Sequence, residues 1–482
     1  MSPFLILSIF IVYTIVLFGV TYSTSRKATN ETFFVGNRVS PWYVVAYGMI
    51  GASLSGVTFM SVPGWVKDTQ FSYMVLVAGY LAGYAVIATV LLPLYYRLNL
   101  TSIYSYLEKR FGFWTYKTGA GFFLLSRTLG ASLRVFLVVN VFQIFVFDAL
   151  GVPFWLTVLI FISLIVLFTF KGGIKTIVWT DTLQTTFMLL GVALTILFVC
   201  RDMHIGMGDM ISRIWHSDHS KMIVTDWHAK NHYLKYFLGG AFISIAMTGL
   251  DQEMMQKNLS CKNLREAQIN MFTFSGSLIF VNLMFLFLGA VLLIFANTHS
   301  VQVATTDELF PTIALQHLSP IAGIVFLIGL VSAAYPSADG ALTSLTTSFC
   351  IDFLNFNKRE RITEAHKRKL RYIVHISIAF VFLVAIIIFR KVNDKAVIDK
   401  IFTIAGYTYG PLLGFFSFGL FTPFKIKDKF VPVIAIISPI ICYLLNIYSI
   451  QWFYGYKFGF ELLIINGMLT FLGLYLIRKK KT

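Results

Sequence analysis

Apolar segments long enough to cross a bilayer recur along this chain roughly every 25 to 35 residues, and no stretch between them has the length of a soluble domain. A helix spans the hydrocarbon with about 20 predominantly apolar residues. Thirteen segments meet that length: 3–22, 41–65, 72–96, 119–147, 153–170, 178–200, 236–256, 272–295, 319–349, 372–389, 399–421, 430–448 and 458–477. They predict an all-α membrane protein of about thirteen transmembrane helices, forming one domain over residues 1–482. Composition agrees. The chain is 57% hydrophobic and 13% charged, against about 25% charged for a soluble domain.

The net charge of +17 in a soluble protein would point to nucleic acid; here the basic residues sit in short loops, where they act as topology signals. With the N-terminus outside, inside regions hold 26 Lys and Arg and outside loops 11. The basic loop Lys358–Arg371 and the tail Arg478–Lys481 anchor the cytoplasmic side. This predicts a multi-pass protein of the cell's inner membrane with a cytoplasmic C-terminus. The first helix has no charged n-region or cleavage site and reads as retained. Cys200, Cys261, Cys350 and Cys442 are too dispersed for a disulfide framework or zinc site. Five histidines in the outside loop 201–235 match no metal-ligand spacing.

Four spans break the rules for lipid-facing helices. Span 2 carries Gly51, Ser53, Ser55, Gly56 and Thr58, with Pro63 beyond. Glycine lets a helix open, and carbonyls freed in hydrocarbon cost several kcal/mol unless a cavity or ion satisfies them. Span 9 places Pro336, Ser337, Asp339 and Gly340 in one mid-span turn. A carboxylate at a helix centre costs about 3 kcal/mol on insertion scales, so Asp339 requires a cation, an Arg or a proton. Hard oxygens suit an alkali ion and not a transition metal. Span 4 holds Arg127 and Arg134, seven residues and about two turns apart on similar faces. A buried guanidinium needs an anion: Asp339, Asp181 or a substrate carboxylate, while Arg127 is placed to snorkel toward the cytoplasmic end. Span 7 contains Gly239, Gly240, Ser244, Thr248 and Gly249 and ends in Asp251-Gln252-Glu253. Spans 2 and 7 are five apart. As the first helices of two inverted halves, a pair of interrupted helices marks a transporter's binding site.

Three stretches then resemble the sodium:solute symporter family: Phe168–Lys175 with Trp179-Thr180-Asp181 entering span 6, Asp251-Gln252 with Gln256-Lys257 and Ala267 around the end of span 7, and Ser332–Asp352 in span 9. The similarity runs over about residues 1–480. It implies the leucine-transporter fold, a 5+5 inverted repeat with one half in 41–200 and the other in 236–421, flanked by an extra helix at 1–22 and extra helices in 430–477. It implies a sodium site formed by Gly51 and Leu54 of span 2 with Ala333, Pro336 and Ser337 of span 9. The chain departs from the family at Pro336, where a hydroxyl is usual, and Asp339 stands near enough to replace it. Some members have a second sodium site whose positions fall here on Asp181 and on Asp339 and Gly340. In sialic-acid members three hydroxyls and an Arg read the substrate; the matching residues are Ser53, Ser55, Thr58 and Arg134, with Ser244 on span 7. The family's span 3 Gln is replaced near Val77 by apolar residues. Tyr407, Tyr409 and Gly410 of span 11 are placed along an inner path.

The expected function is secondary active symport, coupling inward sodium movement to uptake of a small polar solute, with a carboxylate or sugar acid such as sialic acid favoured. The alternative is sodium- or proton-coupled transport of a neutral sugar, polyol or amino acid. Sodium is the expected coupling ion, and the expected partners are a small solute and membrane lipid, with no nucleic acid or obligate protein. An intramembrane enzyme would need a His/Asp/Glu or Ser/Lys constellation in the spans, which the sequence lacks. A membrane sensor would need a cytoplasmic output domain, and a channel would rely on symmetry between chains.

Overall fold

The computed structural model describes residues 2–24, 33–34, 38–170, 173–356, 363–392 and 397–479. Parts of the Lys358–Arg371 loop, of the basic tail and of the Phe168–Lys175 stretch lie outside the described residues. Within them the chain is helical, with two isolated bridges, Ser40 to Cys261 and Ile426 to Arg478, in place of any sheet.

The longer helices are α1 (Pro3–Thr24), α2 (Trp42–Ser53), α3 (Gly56–Thr69), α4 (Tyr73–Val86, continued by a π-turn to Arg97), α5 (Phe113–Phe142), α6 (Phe154–Thr169), α7 (Gly173–Asp202) and α8 (Tyr233–Ser244). They continue with α9 (Gln252–Asn258), α10 (Leu264–Thr298), α11 (Pro320–Ser348), α12 (Glu364–Val392), α13 (Val397–Thr408), α14 (Gly410–Phe421), α15 (Val431–Ile447) and α16 (Leu462–Leu476). Each apolar segment read from the sequence coincides with one of these helices or with a broken pair. By length and composition, eight helical stretches among the described residues can cross a membrane, or ten if each bent pair counts as one. The difference from thirteen has a physical source. Gly56–Arg97 runs as one 42-residue stretch, although Gln70, at φ 54°, interrupts it. The 16 residues of α6 and the 15 of α16 are short for a span.

Three breaks shape the molecule. α2 ends at Leu54 (φ −91°, ψ 78°) and Ser55 (φ −73°, ψ 179°) restarts the chain as α3. α8 loosens into a π-turn at Ile245–Gly249 and breaks, α9 leaving at 71°. α13 and α14 meet at Tyr409 with a 45° bend. Interrupted backbone at this depth survives only where protein or a cavity satisfies it. At the first break the absence of a side chain on Gly56 is required: a Cβ there would lie 2.6 Å from Val138 Cγ2 of α5 and 4.0 Å from the Ala333 carbonyl of α11. At Gly240 of α8 a Cβ would run into the Leu76 carbonyl of α4 and lie 3.3 Å from Gly79 Cα, the close small-residue packing that replaces a hydrophobic drive between membrane helices.

Proline does not break these helices. Pro63 lies inside α3 and Pro336 inside α11, both continuous. A proline removes one amide donor and displaces one carbonyl, a loss a packed helix absorbs; Pro336, Ser337, Asp339 and Gly340 lie together in regular helix. On the side of the 201–235 loop, the turn Thr306–Glu308 packs over α3. Asp307 there is buried, which pushes its carboxyl upward, opposed by the Val397 amide that donates to its Oδ2 at 3.0 Å.

Candidate functional site

A cavity with about 750 Å³ of empty space, open solvent included, lies at the break between α2 and α3. All five residues expected to read a substrate line it: Ser53, Ser55, Thr58, Arg134 and Ser244. The Ser244 hydroxyl also donates to the Ala241 carbonyl at 2.9 Å. Sequence reasoning missed the face of α4, which contributes Tyr73, Tyr80 and Tyr84. The Tyr84 hydroxyl lies close to the side chains of Ser53 and Thr248, beside the first break and the π-turn that follows α8. Their spacing, i, i+7 and i+11, was the available signal. Asn282 of α10 lines the same space, and its buried Oδ1 has no hydrogen-bond partner. Val77 is buried elsewhere in the core.

The two arginines of α5 have different surroundings. Arg127, 4% exposed, pairs with Glu253 and has Asp251 at 3.9 Å. Neither Asp181 nor Asp339 takes this role, and the side chain does not snorkel. The partner sits on α9 because the chain stays helical for two turns after the break. Asp251 caps α9, accepting from the amides of Glu253 at 2.9 Å and Met254 at 3.3 Å, which satisfies donors a helix start leaves open. Arg134 lines the cavity, and among the described residues no carboxylate lies within ion-pair distance of it.

The cavity is closed on one side by this charge cluster, with the Tyr409 hydroxyl donating to Asp251 Oδ2 at 2.6 Å. Gly410 instead packs against Asn466, and the Tyr407 hydroxyl accepts from Asn446 at 2.8 Å, so of the three only Tyr409 faces the path. On the other side, Phe402 stands between this cavity and a second one of about 820 Å³ bordered by Asp68, Lys230 and Asp399.

The expected ion ligands lie on α2 and α11, which pack against each other. Gly51 and Leu54 end α2, with Asp181's carbonyl 3.5 Å from the position a Gly51 Cβ would take. Ala333 faces the break, and Pro336 and Ser337 follow one turn along α11, buried. Ser337 donates to the Ala334 carbonyl at 3.0 Å, which leaves its oxygen lone pairs available. Asp181 and Asp339 are fully buried and near enough to interact electrostatically. Sequence reasoning missed the third member of that group: Lys257, 1% exposed, whose Nζ lies 2.6 Å from Asp181 Oδ2. Among the described residues no group of His, Cys, Asp and Glu is arranged to hold a metal ion, the histidine-bearing loop included.

The chain resembles known carriers along nearly its full length. It is 24% identical over 468 residues to the sodium/sialic acid symporter SiaT of Proteus mirabilis, covering 94% of this chain and 92% of the relative. It is 22% identical to the human sodium/iodide cotransporter, across 84% of this chain and 63% of that one. A solved sodium-coupled sialic acid symporter in a substrate-bound outward-open state superposes with a TM-score of 0.82 at 20% identity, over 99% of both chains. Mhp1, a nucleobase-cation-symport-1 transporter, gives 0.55 at 12% identity, over 92% of each. The fold is thus that of the leucine-transporter group. The sodium:solute symporter family model matches residues 33–425, a stretch that takes in all three helix breaks, and this chain therefore belongs to the sodium:solute symporter family of multi-pass membrane carriers, with sodium as its coupling ion.

Proposed function

We propose that this symporter moves a small carboxylate, a sugar acid such as sialic acid included, inward with sodium across the cell's inner membrane. Arg134 carries the reading. A guanidinium facing a cavity without an ion-pair partner among the described residues invites a carboxylate, which it holds through two parallel hydrogen bonds. Ser53, Ser55, Thr58 and Ser244 supply hydroxyls for a polyol or glycerol chain. SiaT and the superposed structure, both named for sialic acid, favour the same class.

In this reading sodium binds Gly51, Leu54, Ala333, Pro336 and Ser337 and joins α2 to α11, stabilising the state open to the outside. Two halves, 41–200 and 236–421, rock around the site, flanked by 1–22 and 430–477. The N-terminus lies outside and the C-terminus in the cytoplasm, as the Lys and Arg bias favours. Solute binds beside the break, Phe402 closes behind it, and the contacts of Asp251, Arg127 and Tyr409 part to release it. A potential of 100 mV supplies about 2.3 kcal/mol per charge. A tenfold sodium gradient supplies about 1.4 kcal/mol; one sodium carried with a monovalent carboxylate moves no net charge, so the gradient alone sustains roughly tenfold accumulation and the potential contributes only where net charge moves.

The test is thermal stabilisation of the purified protein by sodium with a panel of sugar acids, their amides and neutral sugars. Carboxylates are expected to stabilise it only with sodium present, and their amides to fail. Equal stabilisation by acid and amide would end the carboxylate reading.

A further inference from the structure

We propose that the Lys257 ammonium stands permanently in the place of a second coupling cation, so that this carrier binds a single sodium ion. The inference rests on the symport reading above and adds the ion count to it.

Asp181 of α7 and Asp339 of α11 are both fully buried and within electrostatic reach of each other, and Glu253, against which a Cβ on Gly340 would fall, adds a third carboxylate. Two or three carboxylates excluded from water require positive charge. A carrier can supply it as a diffusible ion or from its own side chains. Here Lys257 reaches back from α9, its Nζ 2.6 Å from Asp181 Oδ2 and 3.7 Å from Glu253 Oε1. The remaining Asp181 oxygen and both Asp339 oxygens have no hydrogen-bonding partner, so the ammonium is the charge that pairs with Asp181 where a free cation would otherwise be needed, with Asp339 in electrostatic reach but beyond ion-pair distance. A compact ammonium with three donors acts as a point charge. Unlike sodium, it cannot leave with the solute. Asp339 has no ion-pair partner of its own among the described residues, and it stands two residues from Ser337, beside the site proposed for the diffusible ion. One tethered charge and one mobile one thus divide the group.

The test counts radioactive sodium bound to the purified full chain, without solute. The wild type is expected to bind one ion, Lys257→Ala two, and the doubly neutral variant Asp181→Asn with Lys257→Met one. Two ions on the wild type, or one on a folded Lys257→Ala protein, would overturn the proposal. Should Lys257→Ala fail to fold, the double variant decides: one ion at the wild-type midpoint supports the proposal, and loss of sodium binding overturns it. Adding the sugar acid to the same samples separates the two readings, because missing solute stabilisation with the ion counts intact removes the carboxylate and leaves the tethered charge.

Discussion

The phenolic hydroxyl of Tyr409 donates to Asp251 Oδ2 at 2.6 Å, and both residues stand at helix breaks, Tyr409 between α13 and α14 and Asp251 ahead of α9. One hydrogen bond thus joins two hinges. Tyr409→Phe removes the donor and leaves a buried carboxylate short of a partner, a loss of about 1–3 kcal/mol. The expected outcome is a lower melting temperature together with greater labelling of cysteines placed on the cytoplasmic side of the cavity.

Glu253→Gln should do more damage than Tyr409→Phe. It leaves Arg127 without its closest carboxylate and takes one negative charge from Lys257. Breaking one side of a buried pair costs about 3–5 kcal/mol. Comparing the melting temperatures of the two variants checks the ranking.

Arg134→Lys keeps the charge and loses the fork. Hydrogen bonds to charged groups contribute about 1.5–3 kcal/mol each, so solute affinity should fall roughly 10- to 100-fold. Sodium binding without solute should be unchanged. Uptake into proteoliposomes and sodium-dependent thermal shifts measure the two separately.

Ser337→Ala should raise the sodium concentration needed for half-maximal uptake by about tenfold, one ligand's share at roughly 1.4 kcal/mol. The rate at saturating sodium should change much less. A sodium titration of initial uptake rates gives both numbers.

Gly240→Ala places a methyl group against the Leu76 carbonyl and Gly79 Cα. Backbone cannot yield as a side chain can, and overpacking costs about 1–3 kcal/mol. The melting temperature should fall while the apparent sodium affinity of the folded fraction holds.

Helix positions were legible because hydrophobic length is local, and so were the breaks of spans 2 and 7, where glycines and hydroxyls cluster. The substrate-facing hydroxyls Ser53, Ser55 and Thr58 came from the family resemblance, since the pattern alone marks only a break that needs a cavity or an ion. Ion-pair partners were not legible. Arg127 and Arg134 share a helix face by spacing, yet one meets Glu253 and the other faces the cavity, a distinction decided by where α9 turns after its break. Lys257 falls one residue past the apolar segment 236–256 and reads as a loop charge; continued helix carries it inward to Asp181. The tyrosines of α4 look like ordinary apolar span until tertiary packing turns them toward Ser53 and Thr248.

Ser53, Leu54 and Ser55 are consecutive, all three border the cavity, and the middle one ends α2. In the proposed reading, cargo and fuel ion therefore pull on a single tripeptide. Sodium slipping through unaccompanied would have to turn this joint while half of its grip is missing, so resistance to idle leak is written into the connectivity of the chain and needs no distant sensor.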